Sequence, residues 1–219
     1  LKINDGIPGD TGTLYGWGIQ FGYKPKTLLL KSLIQGFYNS STNLMVPDTI
    51  KVILRDVYPP YAKFDSTRIK TDSTGTARIN FDGYSLKSGK PFYIQLRHRN
   101  SIETWNKVNY TTSNFISGNL NFQPLMNYDE YDFTANSSSA FGNNLAQIDT
   151  APLKFGLYSG DINQDGTINL TDIISCYNGA INFITGYKVT DVNGDNNTNL
   201  SDILIVYNNS VKFVTRIIP

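Results

Sequence analysis

The sequence predicts a mainly β chain: an antiparallel sandwich followed by a small α domain built on two EF-hand-type calcium loops. Three observations predict it. Short apolar–polar alternations recur between residues 50 and 97, turn-forming clusters separate them, and residues 161–215 repeat one pattern at an offset of 30.

The first region, residues 1–24, holds two strand candidates, 1–4 and 13–21, around the turn-rich Asp5-Gly6-Ile7-Pro8-Gly9-Asp10. Two strands alone are marginal in water, so this hairpin is expected to pair elsewhere. Residues 25–155 form the second region. Ile50, Val52 and Leu54 alternate with polar neighbours, as do Ala77, Ile79 and Phe81, and again Phe92, Ile94 and Leu96. Tyr58-Pro59-Pro60, Asp72-Ser73-Thr74-Gly75 and Lys87-Ser88-Gly89-Lys90 supply turns between them. Short strands at this spacing suggest an immunoglobulin-like or prealbumin-like sandwich. Residues 128–144 are polar and weakly patterned, which predicts a long loop with at most one strand.

The third region, residues 156–219, changes character. Eleven of the twenty-five positions in 161–185 are identical to those 30 residues on. Calcium needs about six to eight oxygen ligands gathered around a sharp turn. In the first loop Asp161, Asn163 and Asp165 offer side-chain oxygens and Thr167 its carbonyl. Asn169 stands where a ligand or bridging water is expected, and Asp172 closes the set. Gly166 supplies the left-handed backbone of the sixth position, and Ile168 is expected to point inward and pair with the partner loop. The second loop offers Asp191, Asn193, Asp195, the Asn197 carbonyl, Asn199 and Asp202. Asn196 replaces the glycine and Thr198 the isoleucine, so the second site is expected to bind more weakly. The alternative is a pair of Asp/Asn-rich turns without metal; two loops in register, each followed by an apolar stretch, favour two calcium ions. Those stretches predict one short helix per loop.

Composition bounds the function. A net charge of +1 over 219 residues leaves no electrostatic footprint for nucleic acid. No apolar run approaches the roughly 18 residues of a membrane span. The single cysteine, Cys176, forbids an internal disulfide. Richness in Tyr, Phe, Asn, Ser, Thr and Gly is the composition of secreted bacterial β-proteins, which predicts an extracellular or cell-surface location. Residues 1–4 read as strand rather than signal peptide, so the sequence is expected to be a piece of a longer precursor.

A calcium loop followed by one helix, duplicated over about 158–217, resembles the dockerin module. That resemblance implies a protein partner recognised in two symmetry-related modes, through positions matching Leu170, Thr171, Tyr177 and Asn178, and Leu200, Ser201, Tyr207 and Asn208. The Ser-Thr and Lys-Arg pairs typical of the family are absent, so the alternative is that this face packs on the chain's own β domain. The segment Tyr93-Ile94-Gln95-Leu96-Arg97-His98-Arg99-Asn100-Ser101-Ile102-Glu103-Thr104-Trp105, with Tyr158-Ser159-Gly160-Asp161, resembles a β module near the C-termini of large secreted proteins of the Bacteroidetes–Ignavibacteria group. Residues 9–21 resemble the closing hairpin of a proprotein-convertase P domain. As a donor strand, residues 1–22 would give self-association into a polymer by strand addition.

The remaining candidates are weaker. His98, the only histidine, continues the apolar face of Phe92, Ile94 and Leu96, and reads as structural. No Gly-x-Ser-x-Gly turn marks a nucleophile, and neither Glu103 nor Glu130 lies in a hydrolase motif. Cys176 reads as a small buried hydrophobe. Tyr58, Tyr61, Tyr84, Tyr93, Tyr128 and Tyr131 more often fill and edge a sandwich but could stack on sugars, which makes a carbohydrate-binding or surface-anchoring appendage the second reading. Thr49, Ser66, Ser73 and Thr150 sit in Asp-Ser/Thr-x segments that resemble Bacteroidetes O-glycosylation acceptors. The first reading is a non-catalytic extracellular assembly module.

Overall fold

The computed structural model describes residues 26–81, 92–107 and 128–219. The hairpin expected over 1–24, the turn at 87–90 and Tyr84 lie outside them. In chain order the strands are β1 (Lys26–Lys31), β2 (Tyr38–Asn39), β3 (Leu44–Met45), β4 (Thr49–Arg55), β5 (Lys63–Lys70) and β6 (Thr76–Phe81). Then come β7 (Tyr93–His98), β8 (Ser101–Trp105), β9 (Tyr128–Asp132), β10 (Ala146–Thr150) and β11 (Leu153–Gly156). Two short helices, α1 (Leu170–Ile181) and α2 (Leu200–Ser210), follow them. The described chain is mainly β, as expected.

Strands β5, β4, β7 and β8 form an antiparallel sheet in that order. The alternation in β4 sets its two faces: Ile50, Val52 and Leu54 are fully buried, while Lys51 turns the other way and is half-buried. A second sheet has the order β6-β1-β9. There β1 pairs antiparallel with β6 but parallel with β9, which departs from an all-antiparallel expectation. A parallel pair requires a long crossover, and the chain from β2 to β8 lies between the two partners. Leu28, Leu30, Ile79 and Phe81 of this sheet share one core cluster with Ile50, Val52, Leu54, Ile94 and Leu96 of the other. Two ribbons, β2-β3 and β10-β11, complete the pattern. Residues 128–144 hold one strand and then two 3-10 turns, as the weak patterning predicts.

The Asp72–Gly75 turn forms for a local reason. The Asp72 carboxylate accepts hydrogen bonds from the backbone N–H groups of Thr74 and Thr76, and Gly75 takes the left-handed backbone at φ +78°.

A second cluster gathers Ile162, Ile168, Cys176, Val192, Val206 and Val214, and β8 contributes Ile102 to it. The C-terminal unit is therefore not separate from the sheet before it. Ile102 N–H donates to the Tyr158 carbonyl at 2.9 Å, and Gly160 N–H donates to the Asn100 carbonyl at 2.6 Å. Asn209 on α2 donates to the Ser159 carbonyl at 2.7 Å and to Gln35 Oε1 at 2.6 Å. Gly36 lies so close to the second loop that a β-carbon there would collide with the Val192 carbonyl. Truncating Ile102 to alanine is expected to cost about 2–5 kcal/mol. Urea denaturation followed by hydrogen exchange should place that loss on residues 156–216; an unchanged midpoint would show that the cluster does not need the plug.

Candidate metal centres

Each loop folds around the carboxylate at its twelfth position. Asp172 is fully buried; its Oδ1 accepts the N–H groups of Ile162 and Asn163 at 2.8 and 3.2 Å, and its Oδ2 that of Asn169 at 3.0 Å. Asp202 receives Val192, Asn193 and Asn199 at 2.7, 3.1 and 2.9 Å. Asn169 and Asn199 are the N-caps of α1 and α2, each closing a capping box with the aspartate three residues on. Asn169 Oδ1 is thereby engaged by the N–H and hydroxyl of Thr171.

The fourth and sixth positions are left-handed in both loops. Gln164 and Gly166 have φ +60° and +92°, and Gly194 and Asn196 +80° and +67°. Asparagine thus replaces glycine where expected. Asn163 Oδ1 accepts from Asp165 N–H and Asp165 Oδ1 from Thr167 N–H, with the same pair of bonds at Asn193 and Asp195. Ile168 is buried, but its backbone does not meet the partner loop. Its N–H donates to the Val214 carbonyl, and Thr167 bridges Thr215; symmetrically, Thr198 N–H donates to Ile184 and Asn197 bridges Thr185. Each loop is paired with the chain that leaves the other loop's helix. Thr198 remains buried because its hydroxyl bonds that of Thr190 at 2.7 Å.

The two loops differ at their first ligand. Asp161 is 2% exposed; its Oδ2 accepts Gly166 N–H at 3.2 Å, and its Oδ1 is buried without any partner. Burial, then repulsion from Asp172 and Asp165, pushes its carboxyl up to about 7. A divalent cation would relieve both. Asp191 is already engaged: Oδ1 accepts Gly194 N–H at 2.8 Å, while Oδ2 faces Asn196 N–H and the Arg99 guanidinium at 3.2 Å. The first loop thus keeps one carboxylate oxygen free of protein donors, whereas both oxygens of the second loop's first aspartate are engaged. Among the described residues no group of three or more His, Cys, Asp or Glu gathers as a metal cluster. These loops mix Asp with Asn and backbone carbonyls, a set suited to calcium rather than to a transition metal.

Beneath the second loop lies a buried polar joint that the sequence did not announce. Asp48 Oδ1 accepts from the Tyr187 hydroxyl at 2.7 Å, and Oδ2 from His98 Nε2 at 3.2 Å and Arg99 Nε at 3.0 Å. Burial opposes ionisation of Asp48, but the bonds from His98 and Tyr187 overcome it and hold the carboxyl well below its usual range. Burial likewise lowers His98, so the imidazole is neutral, with its other nitrogen 2.9 Å from Ser101 Oγ. Asp48, His98 and Ser101 stand in the order of a hydrolytic triad, yet the serine is wholly buried and offers no approach to a substrate carbonyl. No local pattern marks Asp48 or Arg99. The contact between α2 and Gln35–Ser159 did leave a signal in Asn209, a polar residue on the inward face of α2 where the first repeat has Gly179.

The residues expected to recognise a partner are not packed on the β sheets. Leu170 and Leu200 are 65% and 75% exposed, and Tyr177, Tyr207, Asn178 and Asn208 are exposed as well. Self-packing of this face is thus corrected: Val206 and Asn209 face inward, and the opposite face of the helices is left open. Ile174 and Leu204, Ile181 and Val211, and Phe183 and Phe213 extend the same exposed stripe in matched pairs. Thr171 and Ser201 bond their N-caps.

Most of the described tyrosines fill or edge the sandwich rather than form a sugar-stacking patch. Tyr93 and Tyr131 are buried, and Tyr61 packs edge-on against Tyr93 and Trp105. Tyr58 is exposed, and the side chain of Tyr128 lies outside what is described. Of the acceptor candidates, Thr150 is exposed, while Thr49, Ser66 and Ser73 are half-buried. Cys176 is buried, and burial followed by the nearby Asp202 pushes its thiol up to about 12. No described helix is long and apolar enough to cross a membrane. No protein-family model matches the chain, and no curated protein matches it significantly.

Proposed function

We propose that this chain is a non-catalytic extracellular assembly module: an immunoglobulin-like β-sandwich clamped to a dockerin-like domain that binds two calcium ions. The observation that carries the reading is the buried, unpartnered Asp161 Oδ1 at the head of a loop whose geometry recurs 30 residues on. A buried carboxylate oxygen without a donor is costly unless a cation meets it. Asp161, Asn163, Asp165, Asp172 and the Thr167 carbonyl would hold the first ion; Asp191, Asn193, Asp195, Asp202 and the Asn197 carbonyl would hold the second. Bound calcium would supply charge neutralisation at the loops, and the side chains would supply register between loop and helix.

The matched exposed stripes on α1 and α2 support docking of a protein partner in two orientations, or self-association into a surface polymer. Residues 1–22 are the second candidate for self-association, by strand addition. A carbohydrate-binding or surface-anchoring appendage is the alternative function, and its measurable difference is size. Sedimentation with and without chelator should give large, calcium-dependent particles for an assembly module; monomers that bind glycans would favour the appendage.

Calorimetric titration of the metal-free chain should find two calcium ions, the tighter one lost in Asp161→Asn. The pH dependence has a definite sign. Asp161 holds its proton up to about pH 7 in the metal-free fold, so protons compete with calcium below that value. Affinity at the first loop should rise as pH increases from 5 to 8. Absence of any heat of binding, or a pH-independent first site, would sink the calcium reading.

A further inference from the structure

The open face of the four-stranded sheet carries an unbalanced row of charge. Lys51 stands directly opposite Arg68 on β5 and directly opposite Arg97 on β7. Neighbouring strands are about 4.8 Å apart, so three cations lie within about 10 Å across the sheet. Like charges placed opposite each other in adjacent strands destabilise a sheet. Glu103 answers Arg97 through an ion pair and also lies 3.9 Å from Arg216. Asp48 is committed to Arg99 and His98. Among the described residues neither Lys51 nor Arg68 has an ion-pair partner.

This row floors a cavity of about 540 Å³ whose walls come from both halves of the molecule. Thr49, His98 and Arg99 border it from the sheet; Gln164 of the first loop and Tyr187, which precedes the second, border it from the C-terminal unit. Arg99 is 10% exposed, and its Nη1 is buried without a hydrogen-bond partner although Nε and Nη2 are both used. That nitrogen is closed off from the cleft, and the guanidinium lies against the Phe37 and Tyr187 rings, so Arg99 adds positive charge beside the row without offering a free donor to it.

We infer that this cleft binds an acidic saccharide, holding its sulfate or carboxylate groups on the Lys51–Arg68–Arg97 row. The volume exceeds what an inorganic ion fills and falls in the range of small-molecule sites. Apart from the Tyr187 ring the lining is polar, which suits a ligand presenting hydroxyls and charge rather than an apolar chain. The Arg99 guanidinium already lies over that ring, 4.3 Å from its centroid, so charge rather than ring stacking is the main contact offered. Gln164 and Tyr187 would place such a ligand across the joint. The site is distinct from the tyrosine patches and does not depend on the calcium reading.

The test is a titration of the full chain with a sulfated disaccharide, its desulfated parent and inorganic sulfate, in calcium buffer at two salt concentrations. The sulfated disaccharide should bind saturably, with affinity falling at least severalfold between 50 and about 200 mM salt. Lys51→Gln with Arg68→Gln should weaken it at least tenfold, while Lys154→Gln, on a remote ribbon, leaves it unchanged. The unliganded double variant should melt no lower than the parent, because repulsion is relieved. If the double variant does not fold, Arg68→Glu alone on the edge strand must show the same loss. Equal binding of the desulfated sugar, equal affinity for inorganic sulfate, no saturable binding, or unchanged affinity in the variants would each overturn the assignment.

Discussion

Asp172→Ala is expected to lower the stability of the C-terminal unit by about 3–5 kcal/mol even without metal. The carboxylate accepts three backbone N–H groups while fully buried, and alanine would leave all three without an acceptor. It would also open the capping box that starts α1. Asp202→Ala should show a loss of the same order, since its three bonds superpose on the first set. Asp172→Asn keeps one oxygen and should cost less. Urea denaturation in chelator and in calcium separates the two roles of the residue. A loss under 1 kcal/mol in chelator would show that the loop does not depend on this hub, and a larger loss in calcium than in chelator measures its share of metal binding.

Asp48→Ala is the second substitution with a large effect, again about 3–5 kcal/mol. Its removal would strip acceptors from the Tyr187 hydroxyl, His98 Nε2 and Arg99 Nε together. Arg99 would keep only Asp191, so the second loop should lose order along with the sheet. Acidification attacks the same joint in two steps. His98 is lowered in the fold, so the unfolded chain binds its proton more readily, and stability falls as pH drops below about 6.5. Asp48 is also lowered, so its contribution, complete above about pH 4, is lost as pH falls further. His98→Asn should abolish the first step and weaken the second, because the His98 bond is one of those that hold the Asp48 carboxyl low. Asp161, raised to about 7, contributes the opposite slope over this range in both chains, so the same change in melting temperature from pH 7 to 5 in His98→Asn as in the parent would contradict the role of His98.

What could be read in the sequence divides along physical lines. Ile50, Val52 and Leu54 were legible because a half-buried strand alternates, and each side chain answers to its own neighbours in the chain. The Asp72–Gly75 turn and both twelve-residue loops were legible because their bonds close within a few residues. Strand β5 was not, since Lys63-Phe64-Asp65-Ser66-Thr67-Arg68-Ile69-Lys70 lies at a sheet edge with little of it buried. The parallel pairing of β1 with β9 leaves no local mark, because register across a crossover is decided by packing. Tyr93 and Tyr131 could not be assigned to a core or to a binding face from the sequence, because aromatic residues serve both alike. The joint left no local mark, since Asp48 and Arg99 meet 51 residues apart in the chain, a distance no spacing rule spans.

The crossed pairing of the two loops has a consequence for the order of events during synthesis. Gly166 and Ile168 complete their backbone bonds only with Arg216 and Val214, at the far end of the chain. The second loop instead closes on Ile184 and Thr185, which have already emerged. A chain growing on the ribosome therefore holds an open first loop until residue 216 is free. The first loop in sequence is thus the second to be finished, because its backbone partners are made some 30 residues after those of its repeat.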